Sequence, residues 1–323
     1  MVFRLGLIGA GRMGRTHLRA LAGSEWVAVT AIAEMSFDAR EAVAAPEVAV
    51  YDSVAALLDA GSLDGVLIAA PTDQHGGIIA EVAARGVPIL CEKPCGLTAA
   101  VARASAATAA ELGVPLQVAY WRRFVPGLRE LHDRIAAGSL GAIHLVTCYQ
   151  WDGEPPPLAF RAHSGGIAID MGVHEFDQLR WLTGQDIETV AAVSVPGPDG
   201  VDDVDSAQVI VSLSGGSTGF VSLGRYYPAG DAVWAEAFGT GGSERCDVID
   251  PAEGGRAQLD ALRRQAESFA SFAGGGPCEG ATAADAIAAL AAAELVSSRI
   301  PALSGSVGVA AELPPSYRHR AGG

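Results

Sequence analysis

The stretch Leu5-Gly6-Leu7-Ile8-Gly9-Ala10-Gly11-Arg12-Met13-Gly14 runs from a short apolar segment through a glycine turn into an amphipathic segment. A buried strand, a G-x-G-x-x-G turn and a helix in this order predict the first βα unit of a dinucleotide-binding fold. One glycine makes the tight turn, one lets the backbone approach a pyrophosphate, and one lets the helix pack closely on the strand. The free N–H groups of the helix then face the phosphates, so Gly9, Gly11, Arg12, Met13 and Gly14 are predicted cofactor contacts.

An acidic residue follows at the distance that this fold requires. Glu34 lies 20 residues beyond Gly14, at the end of the second predicted strand. A carboxylate there accepts hydrogen bonds from the adenosine ribose hydroxyls and repels a 2′-phosphate. Met35 and Ser36 follow it rather than an arginine, so NAD is favoured over NADP. Arg40 is near enough to leave NADP open as the alternative.

Short apolar runs alternate with amphipathic segments over the first 120 residues, which predicts βαβ units and a doubly wound parallel sheet. Strands are predicted at Leu5–Ile8, Val27–Ala33, Gly65–Ala70, Pro88–Cys91 and Leu116–Tyr120, with helices at Gly14–Leu21, Val54–Asp59, Gly76–Arg85 and Ala99–Leu112. Ser53 and Thr98 are predicted N-caps. Residues 1–120 are therefore expected to form a Rossmann dinucleotide-binding domain.

Longer segments with period-two alternation follow. Strands are predicted at Ala142–Trp151, Ile187–Val195, Ala207–Leu213, Ser217–Tyr226 and Val233–Phe238, and helices at Pro126–Ala137, Gly166–Leu182, Leu259–Phe272 and Ala283–Ser297. Turns rich in Gly and Pro separate the strands, which predicts hairpins in a mostly antiparallel sheet. We expect residues 121–313 to form a second α/β domain and residues 314–323 to be a frayed tail.

The composition excludes some classes of partner. The formal net charge is −15, with 37 acidic against 22 basic residues, and such a surface repels phosphate backbones and anionic lipid. The sequence contains no apolar run of roughly 18 residues, so neither nucleic acid nor a membrane is expected as a partner. Five scattered cysteines predict free thiols in a reducing compartment, and hence a cytoplasmic protein.

Two further segments carry candidate catalytic residues. In Glu92-Lys93-Pro94, Lys93 follows a predicted strand of the parallel sheet, where it could stabilise developing alkoxide charge. Asp170, His174 and Asp177 are spaced to share one helix face, and a carboxylate beside an imidazole raises its basicity and orients it. That pair predicts a general base for a hydroxyl proton. Metal ligation by the same residues lacks a third and fourth ligand, so no metal is expected.

Taken together, these elements resemble the Gfo/Idh/MocA oxidoreductase family, with inositol dehydrogenases as the nearest subgroup. The resemblance extends from Leu5 to about Pro301. Its residues are Gly9-x-Gly11-x-x-Gly14, Ala70-Pro71-Thr72-x-x-His75, Glu92-Lys93-Pro94, Tyr120-Trp121-Arg122-Arg123-Phe124 and Asp170-x-x-x-His174-x-x-Asp177-x-x-x-Trp181-Leu182.

The resemblance implies a Rossmann domain followed by an α/β domain with a large open-faced sheet, which binds substrate and forms homodimers or homotetramers. It implies that His174 carries the proton, that Asp170 tunes and orients it, and that Lys93 binds the reacting oxygen, with a cis bond between Lys93 and Pro94. Further implied contacts are Ala70, Pro71, Thr72, His75 and Glu92 for the cofactor, and Lys93, Trp121, Arg122, Asp152, Asp170, His174 and Asp231 for the substrate.

Several residues depart from the inositol dehydrogenase pattern. Trp121 replaces a methionine, Asp231 stands where a tyrosine is expected, and the segment from Trp151 to Pro157 lacks the usual polar pattern. The predicted activity is therefore hydride transfer between NAD and a secondary alcohol of a cyclitol or sugar, without a choice of substrate. Two alternatives are an NADP-linked ketosugar or aldose reductase and a non-catalytic NAD-binding sensor. The cluster of Asp202, Asp203 and Asp205 is expected to be a solvated turn.

Overall fold

The computed structural model describes residues 1–43, 48–197, 203–253 and 255–300. The first part of the chain alternates strands and helices as predicted. Its strands are β1 (Phe3–Ile8), β2 (Val27–Ala33), β3 (Ala49–Tyr51), β4 (Gly65–Ile68), β5 (Ile89–Cys91) and β6 (Leu116–Val118), and its helices are α1 (Arg12–Leu21), α2 (Phe37–Glu41), α3 (Val54–Asp59), α4 (His75–Ala83) and α5 (Ala99–Glu111). The side chains of Ser53 and Thr98 cap α3 and α5, which confirms both predicted N-caps.

The second part of the chain is built on longer strands. They are β7 (Ile143–Trp151), β8 (Ile187–Pro196), β9 (Val204–Leu213), β10 (Thr218–Gly224), β11 (Ala232–Gly239) and β12 (Gly242–Ile249). The helices are α6 (Pro126–Ala136), α7 (Leu158–Arg161), α8 (Val173–Thr183), α9 (Arg256–Ala273) and α10 (Ala283–Ser297), and a two-residue strand, β13 (Ala281–Thr282), precedes α10.

Two sheets result, and their topology confirms the predicted fold class. The first has the order β13-β6-β5-β4-β1-β2-β3, in which β1 to β6 pair in parallel. Its central strands are apolar because helices cover both faces. The second has the order β12-β11-β7-β10-β9-β8, and its neighbours are antiparallel except for β7 and β10.

The second sheet is covered on one face by α6 and α8. On its other face, Tyr149 stacks on Trp234 with ring centroids 4.4 Å apart, and Phe220 packs edge-on against Tyr149. Val193, Val195 and Ile210 are exposed to 59%, 56% and 55%. We call this surface the outer face of the second sheet.

The end of the described chain returns to the first sheet. Strand β13 pairs antiparallel with β6, α9 packs on α1 and α10 packs on α5. The division of the chain at residue 120 therefore stays a prediction, and the predicted tail at residues 314–323 lies outside the described residues. None of the described helices has the length and apolar character needed to cross a membrane.

Candidate active site

The glycine turn between β1 and α1 has the geometry that its sequence predicts. Gly9 has a φ of +95°, and a Cβ there would lie 2.7 Å from the carbonyl oxygen of Ala69. At Gly14 a Cβ would lie 2.1 Å from the Gly9 carbonyl oxygen, so only glycine lets α1 pack this closely on β1. A Cβ at Gly11, by contrast, would meet nothing within 4 Å. That open side of the turn is where a phosphate group can approach the backbone.

Glu34 lies beside this turn. Its carboxylate accepts hydrogen bonds from the backbone N–H of Ala10, at 2.7 Å, and of Ser36, at 2.8 Å. The guanidinium of Arg40 donates to the carbonyl oxygens of Glu34 and Met35, at 2.7 and 2.9 Å. The Glu34 carboxylate is thus held in place at the end of β2, while Arg40 is engaged by backbone acceptors.

The residues after β4 form a second wall of the same crevice. Ala70, Pro71 and Thr72 lead into α4, and Ala69 and Ala70 contact the glycine turn at Gly9. His75 is 1% exposed, and its ring nitrogens lie 2.9 Å from the carbonyl oxygen of Ala70 and 2.8 Å from that of Pro94. His75 therefore ties the end of β4 to the turn after β5.

That turn carries Glu92 and Lys93. The buried Glu92 carboxylate lies 2.6 Å from Nε2 of His17 on α1, and its other oxygen accepts the backbone N–H of Lys93 at 3.1 Å. The bond between Lys93 and Pro94 is cis, as the family resemblance implies. Glu92 is thus buried next to the predicted cofactor crevice and fixes the backbone that carries Lys93.

Lys93 reaches the second part of the chain. Its Nζ donates a hydrogen bond of 2.7 Å to the backbone carbonyl oxygen of Asp170. His174 lies one turn further along and is 7% exposed. Burial lowers the pKa of His174 well below its ordinary value, and the positive charges of Lys93 and Arg122 lower it further. The structure thus brings Lys93, Asp170 and His174 together at the carboxyl end of β5.

The expected pairing of Asp170 with His174 is wrong. Residues Ala168–Gly172 form a π-helical turn before α8, so the four-residue spacing of an α-helix does not hold across this segment. The Asp170 carboxylate accepts a hydrogen bond of 2.7 Å from Nη1 of Arg225 instead. Asp177 pairs with Arg123 instead, at 2.5 Å. The prediction that a carboxylate raises the basicity of His174 is therefore wrong as well.

Aromatic rings surround His174. Tyr120 and Trp121 lie edge-on to its imidazole, with centroids 5.7 and 6.5 Å away. Trp121 is only 4% exposed, so it forms part of the wall behind the imidazole. Arg122 is buried between the carboxylate of Glu175 and Oε1 of Gln150, the latter at 2.6 Å.

Two more predicted substrate contacts lie at the ends of neighbouring strands. Asp152 follows β7 and Asp231 precedes β11, where Trp151 pairs with Ala232. Asp231 accepts the backbone N–H of Gly153 at 2.7 Å, and Asp152 accepts Nε2 of Gln150 at 3.3 Å. Burial raises the pKa of the Asp152 carboxyl, and the charges of Asp231 and Asp170 add to the effect. The second sheet therefore presents two carboxylates near Asp170.

Comparison with known proteins matches both parts of the chain. Residues 3–120 match a family model described as "Oxidoreductase family, NAD-binding Rossmann fold", and residues 128–245 match the GFO/IDH/MocA C-terminal domain. The chain belongs to the GFO/IDH/MocA oxidoreductase family. The "Rhizopine catabolism protein MocA" of Rhizobium meliloti is 49% identical over 300 residues, which cover 90% of this chain and 93% of that protein.

Two further proteins extend the likeness. The "Myo-inositol dehydrogenase Hyg17" of Streptomyces leeuwenhoekii is 34% identical over 328 residues, covering 94% of this chain and 98% of that protein. The crystal structure of a myo-inositol dehydrogenase from Corynebacterium glutamicum superposes with a TM-score of 0.84 at 24% identity, covering 95% of this chain and all of the other. The latter likeness shows the fold.

The residues around the glycine turn fit the NAD of the GFO/IDH/MocA oxidoreductases. The open side of the turn at Gly11 would leave room for a pyrophosphate, and Arg12 and Met13 begin the helix behind it. Glu34, held beside the turn by the backbone N–H of Ala10, stands where a carboxylate would accept hydrogen bonds from the adenosine ribose. Among the described residues, no group of three His, Cys, Asp or Glu side chains could hold a metal ion.

The sequence analysis did not identify the buried charged residues that pair with residues of this GFO/IDH/MocA site or with their neighbours. Asp203 was expected in a solvated turn, but it is 5% exposed and pairs with two arginines, Arg161 and Arg225. Glu175 and His17 are likewise buried partners of predicted site residues. The sequence contains one signal for them: charged residues next to apolar segments. Their partners are 22 to 75 residues away, so the pairing itself was not visible.

Proposed function

We propose that this chain oxidises a secondary alcohol of a cyclitol or sugar ring to the ketone, or catalyses the reverse reduction. NAD, when bound, accepts the hydride of the alcohol carbon or returns it. The convergence of Lys93 and His174 beside Asp170, next to the crevice for NAD, carries the proposal. The inositol dehydrogenases among the relatives support the substrate class.

The protonation states of the site suit this reaction. Because burial keeps the pKa of His174 low, its imidazole is neutral at pH 7 and can take a proton from a hydroxyl group. Lys93 would donate a hydrogen bond to the same oxygen and stabilise its developing negative charge. Asp170 orients Lys93 through its backbone carbonyl oxygen. Trp121 forms an apolar wall beside the imidazole, and Asp152 and Asp231 can accept hydrogen bonds from the other ring hydroxyls.

The arrangement at Arg40 favours NAD over NADP. Its guanidinium is bound to two backbone carbonyl oxygens and lies over Phe37, at 5.8 Å from the ring centroid. A 2′-phosphate would have to displace those contacts and approach the Glu34 carboxylate. An NADP-linked reductase is therefore the less favoured function.

We also propose a cytoplasmic homo-oligomer joined through the outer face of the second sheet. The stacked pair Tyr149 and Trp234 lies on this face, together with exposed Val193, Val195 and Ile210. An exposed apolar surface of this kind is typical of an interface between subunits. All five cysteines are free thiols, as expected in a reducing compartment. Light scattering of the protein and of Ile210→Asp tests the interface, and a monomeric parent protein would contradict it.

Lys93 gives the proposed function a direct test, since it is the only lysine in the sequence. Initial rates with NAD and NADP across a panel of inositols, hexoses and hexonic acids should show turnover with NAD that Lys93→Met abolishes. Arg85→Met, which removes an exposed cation paired with Asp59, is the matched control. Tight NADH binding without turnover of any polyol, unchanged in Lys93→Met, would instead indicate a sensor.

A further inference from the structure

Arg225 has an unusual environment for a cation. Arg225 follows β10 directly and is 0% exposed, and its guanidinium lies between two carboxylates. Nη1 donates to Oδ2 of Asp170 at 2.7 Å, while Nε and Nη2 lie 3.1 and 2.9 Å from Oδ2 of Asp203. A fully buried cation is stable only when such partners compensate the charge.

Asp203 is held in turn from the other side. Its Oδ2 accepts Nε of Arg161 at 2.8 Å, and Nη1 of Arg161 pairs with Asp205 at 2.9 Å. Asp205, Arg161, Asp203, Arg225 and Asp170 thus form a row of alternating charges, which we call the arginine–aspartate chain. Its Asp205 side chain is 47% exposed, and that of Asp170, at the other end, is 16% exposed.

The arginine–aspartate chain holds the segment that carries Asp170 at two points. Gly165 and Gly166 both have positive φ values, +85° and +82°, so the backbone before the π-helical turn has no side chains of its own to fix it. Asp203 binds the backbone N–H of Ile167 at 2.9 Å, and Arg225 binds the Asp170 carboxylate. The Asp170 carbonyl oxygen, which accepts Nζ of Lys93, lies within this fixed segment.

We infer that Arg225 is a positioning residue for the proposed oxidation, acting through Asp170. It draws the Asp170 carboxylate away from Lys93 and His174 and so leaves only the backbone carbonyl oxygen of Asp170 to orient the amine. The inference rests on the proposed function. Without Arg225, the Asp170 carboxylate becomes an unpaired anion next to the only amine in the site. An ion pair between the two would take Lys93 away from the reacting oxygen.

Replacement of Arg225 by Gln and by Lys tests this inference. Arg225→Gln should lower kcat by about 10- to 100-fold, the range for loss of an outer partner or a displacement of about 1 Å. The KM for the polyol and the Kd for NAD should change less than about threefold, and Arg225→Lys, which keeps the charge, should recover part of kcat. Arg123→Gln is the matched control, because it also removes a buried arginine from two carboxylates, Asp177 and Asp285. It should lower the melting temperature with a much smaller loss of kcat.

The amine of Lys93 provides a second readout that does not need turnover. Because the sequence has one lysine, the rate at which an amine reagent modifies its ε-amino group can be followed by peptide mass spectrometry. Asp203→Asn, which keeps the side-chain volume, replaces Arg225→Gln if that variant does not bind NAD. Both variants should change the labelling rate of Lys93 several-fold, and Arg123→Gln should not.

The outcomes separate the two proposals. A wild-type protein that turns over no polyol would contradict the proposed function. In that case the labelling rates of Lys93 alone would decide whether Arg225 positions this residue. Wild-type labelling and wild-type kcat in Arg225→Gln would overturn the inference. A loss of kcat equal to that of Arg123→Gln, without recovery in Arg225→Lys, would also overturn it by showing a purely structural role.

Discussion

The cofactor crevice and the arginine–aspartate chain are built in opposite ways. In the crevice the backbone is predicted to bind the cofactor: three glycines within six residues set the turn and the packing of α1, and leave one side of the turn open for a phosphate. In the arginine–aspartate chain the side chains act in pairs, across 42 residues for Arg161 and Asp203 and 55 for Arg225 and Asp170. Local spacing is visible in a sequence, whereas the pairing of distant charges appears only after folding. The following experiments test how sharp this division is.

Replacement of His174 by Ala has the largest expected effect. It should lower kcat by ~10²- to 10⁴-fold, the range for lost general acid–base catalysis, with little change in NAD affinity. Stopped-flow or steady-state rates together with NADH fluorescence titration measure both quantities. Near-normal turnover would show that the proton passes through another group. It would also mean that the reaction takes place away from the contact between Lys93 and Asp170.

Removal of the Glu34 carboxylate should have the next largest effect. Glu34→Ala is expected to weaken NAD binding by about 10-fold or more, since hydrogen bonds to a charged group contribute about 1.5–3 kcal/mol. NADP binding should weaken less or improve, because the repulsion of the 2′-phosphate is lost. Calorimetric titration with both cofactors measures the ratio of the two Kd values. Glu34→Gln is the isosteric control. Equal losses of affinity for NAD and NADP would show that Glu34 does not contact the ribose.

Two glycines allow backbone packing to be separated from cofactor approach. Gly14→Ala places a Cβ 2.1 Å from the Gly9 carbonyl oxygen, so it should lower the free energy of unfolding by about 1–3 kcal/mol, the usual cost of overpacking. Gly11→Ala places its Cβ in open space and should leave stability within about 0.5 kcal/mol while weakening NAD. Urea unfolding and NAD titration of both variants provide the comparison. Equal stability losses would contradict it.

The pH profile is expected to show the smallest effect. Burial holds the pKa of His174 well below 6.5 in the folded protein, so the imidazole stays neutral as the pH falls through 6.5. The acid limb of kcat/KM should therefore lie below pH 6.5. The free energy of unfolding should not depend on His174 above pH 6.5, and it should decrease as the pH falls below 6.5. There the imidazole of the unfolded chain binds a proton that the folded chain excludes.

Asp152 is the control for this profile, since it is the other predicted site residue whose carboxyl pKa is raised by burial. If His174 is the base, Asp152→Asn should leave the midpoint of the acid limb unchanged. A midpoint that moves in Asp152→Asn would assign the limb to Asp152 instead.

Most of the fold was predictable because its signals are local. Apolar runs and caps marked the strands and helices of the parallel sheet, and α3 was predicted at its observed bounds. The short elements β3 and α2 were missed because each contains only a few residues without a clear period. Strand β12 was missed because Glu244, Arg245 and Asp247 interrupt its apolar pattern.

The candidate site was predictable to a smaller extent. Lys93 and His174 were found from their places after a strand and in a helix. The orientation of the Asp170 carboxylate was predicted wrongly, because no sequence pattern indicates the π-helical turn or the hydrogen bond from Arg225 to this carboxylate. The neighbouring residues Arg122 and Arg123 could not be told apart in the sequence. In the structure they have different partners: Arg122 binds Glu175 and Arg123 binds Asp177. These contacts depend on tertiary structure alone.

The antiparallel edge strand β13 has a consequence for anyone who wishes to divide this protein. Strand β13 adds to the sheet that the first hundred residues begin, and α9 and α10 pack on α1 and α5, so the elements built on this sheet are discontinuous in sequence. A fragment cut at residue 120 would leave the apolar sides of α1 and α5 uncovered, and should aggregate. A fragment that joins residues 1–120 by a short linker to the segment from 256 to 300 retains those covers, and is the better candidate for an isolated NAD-binding module.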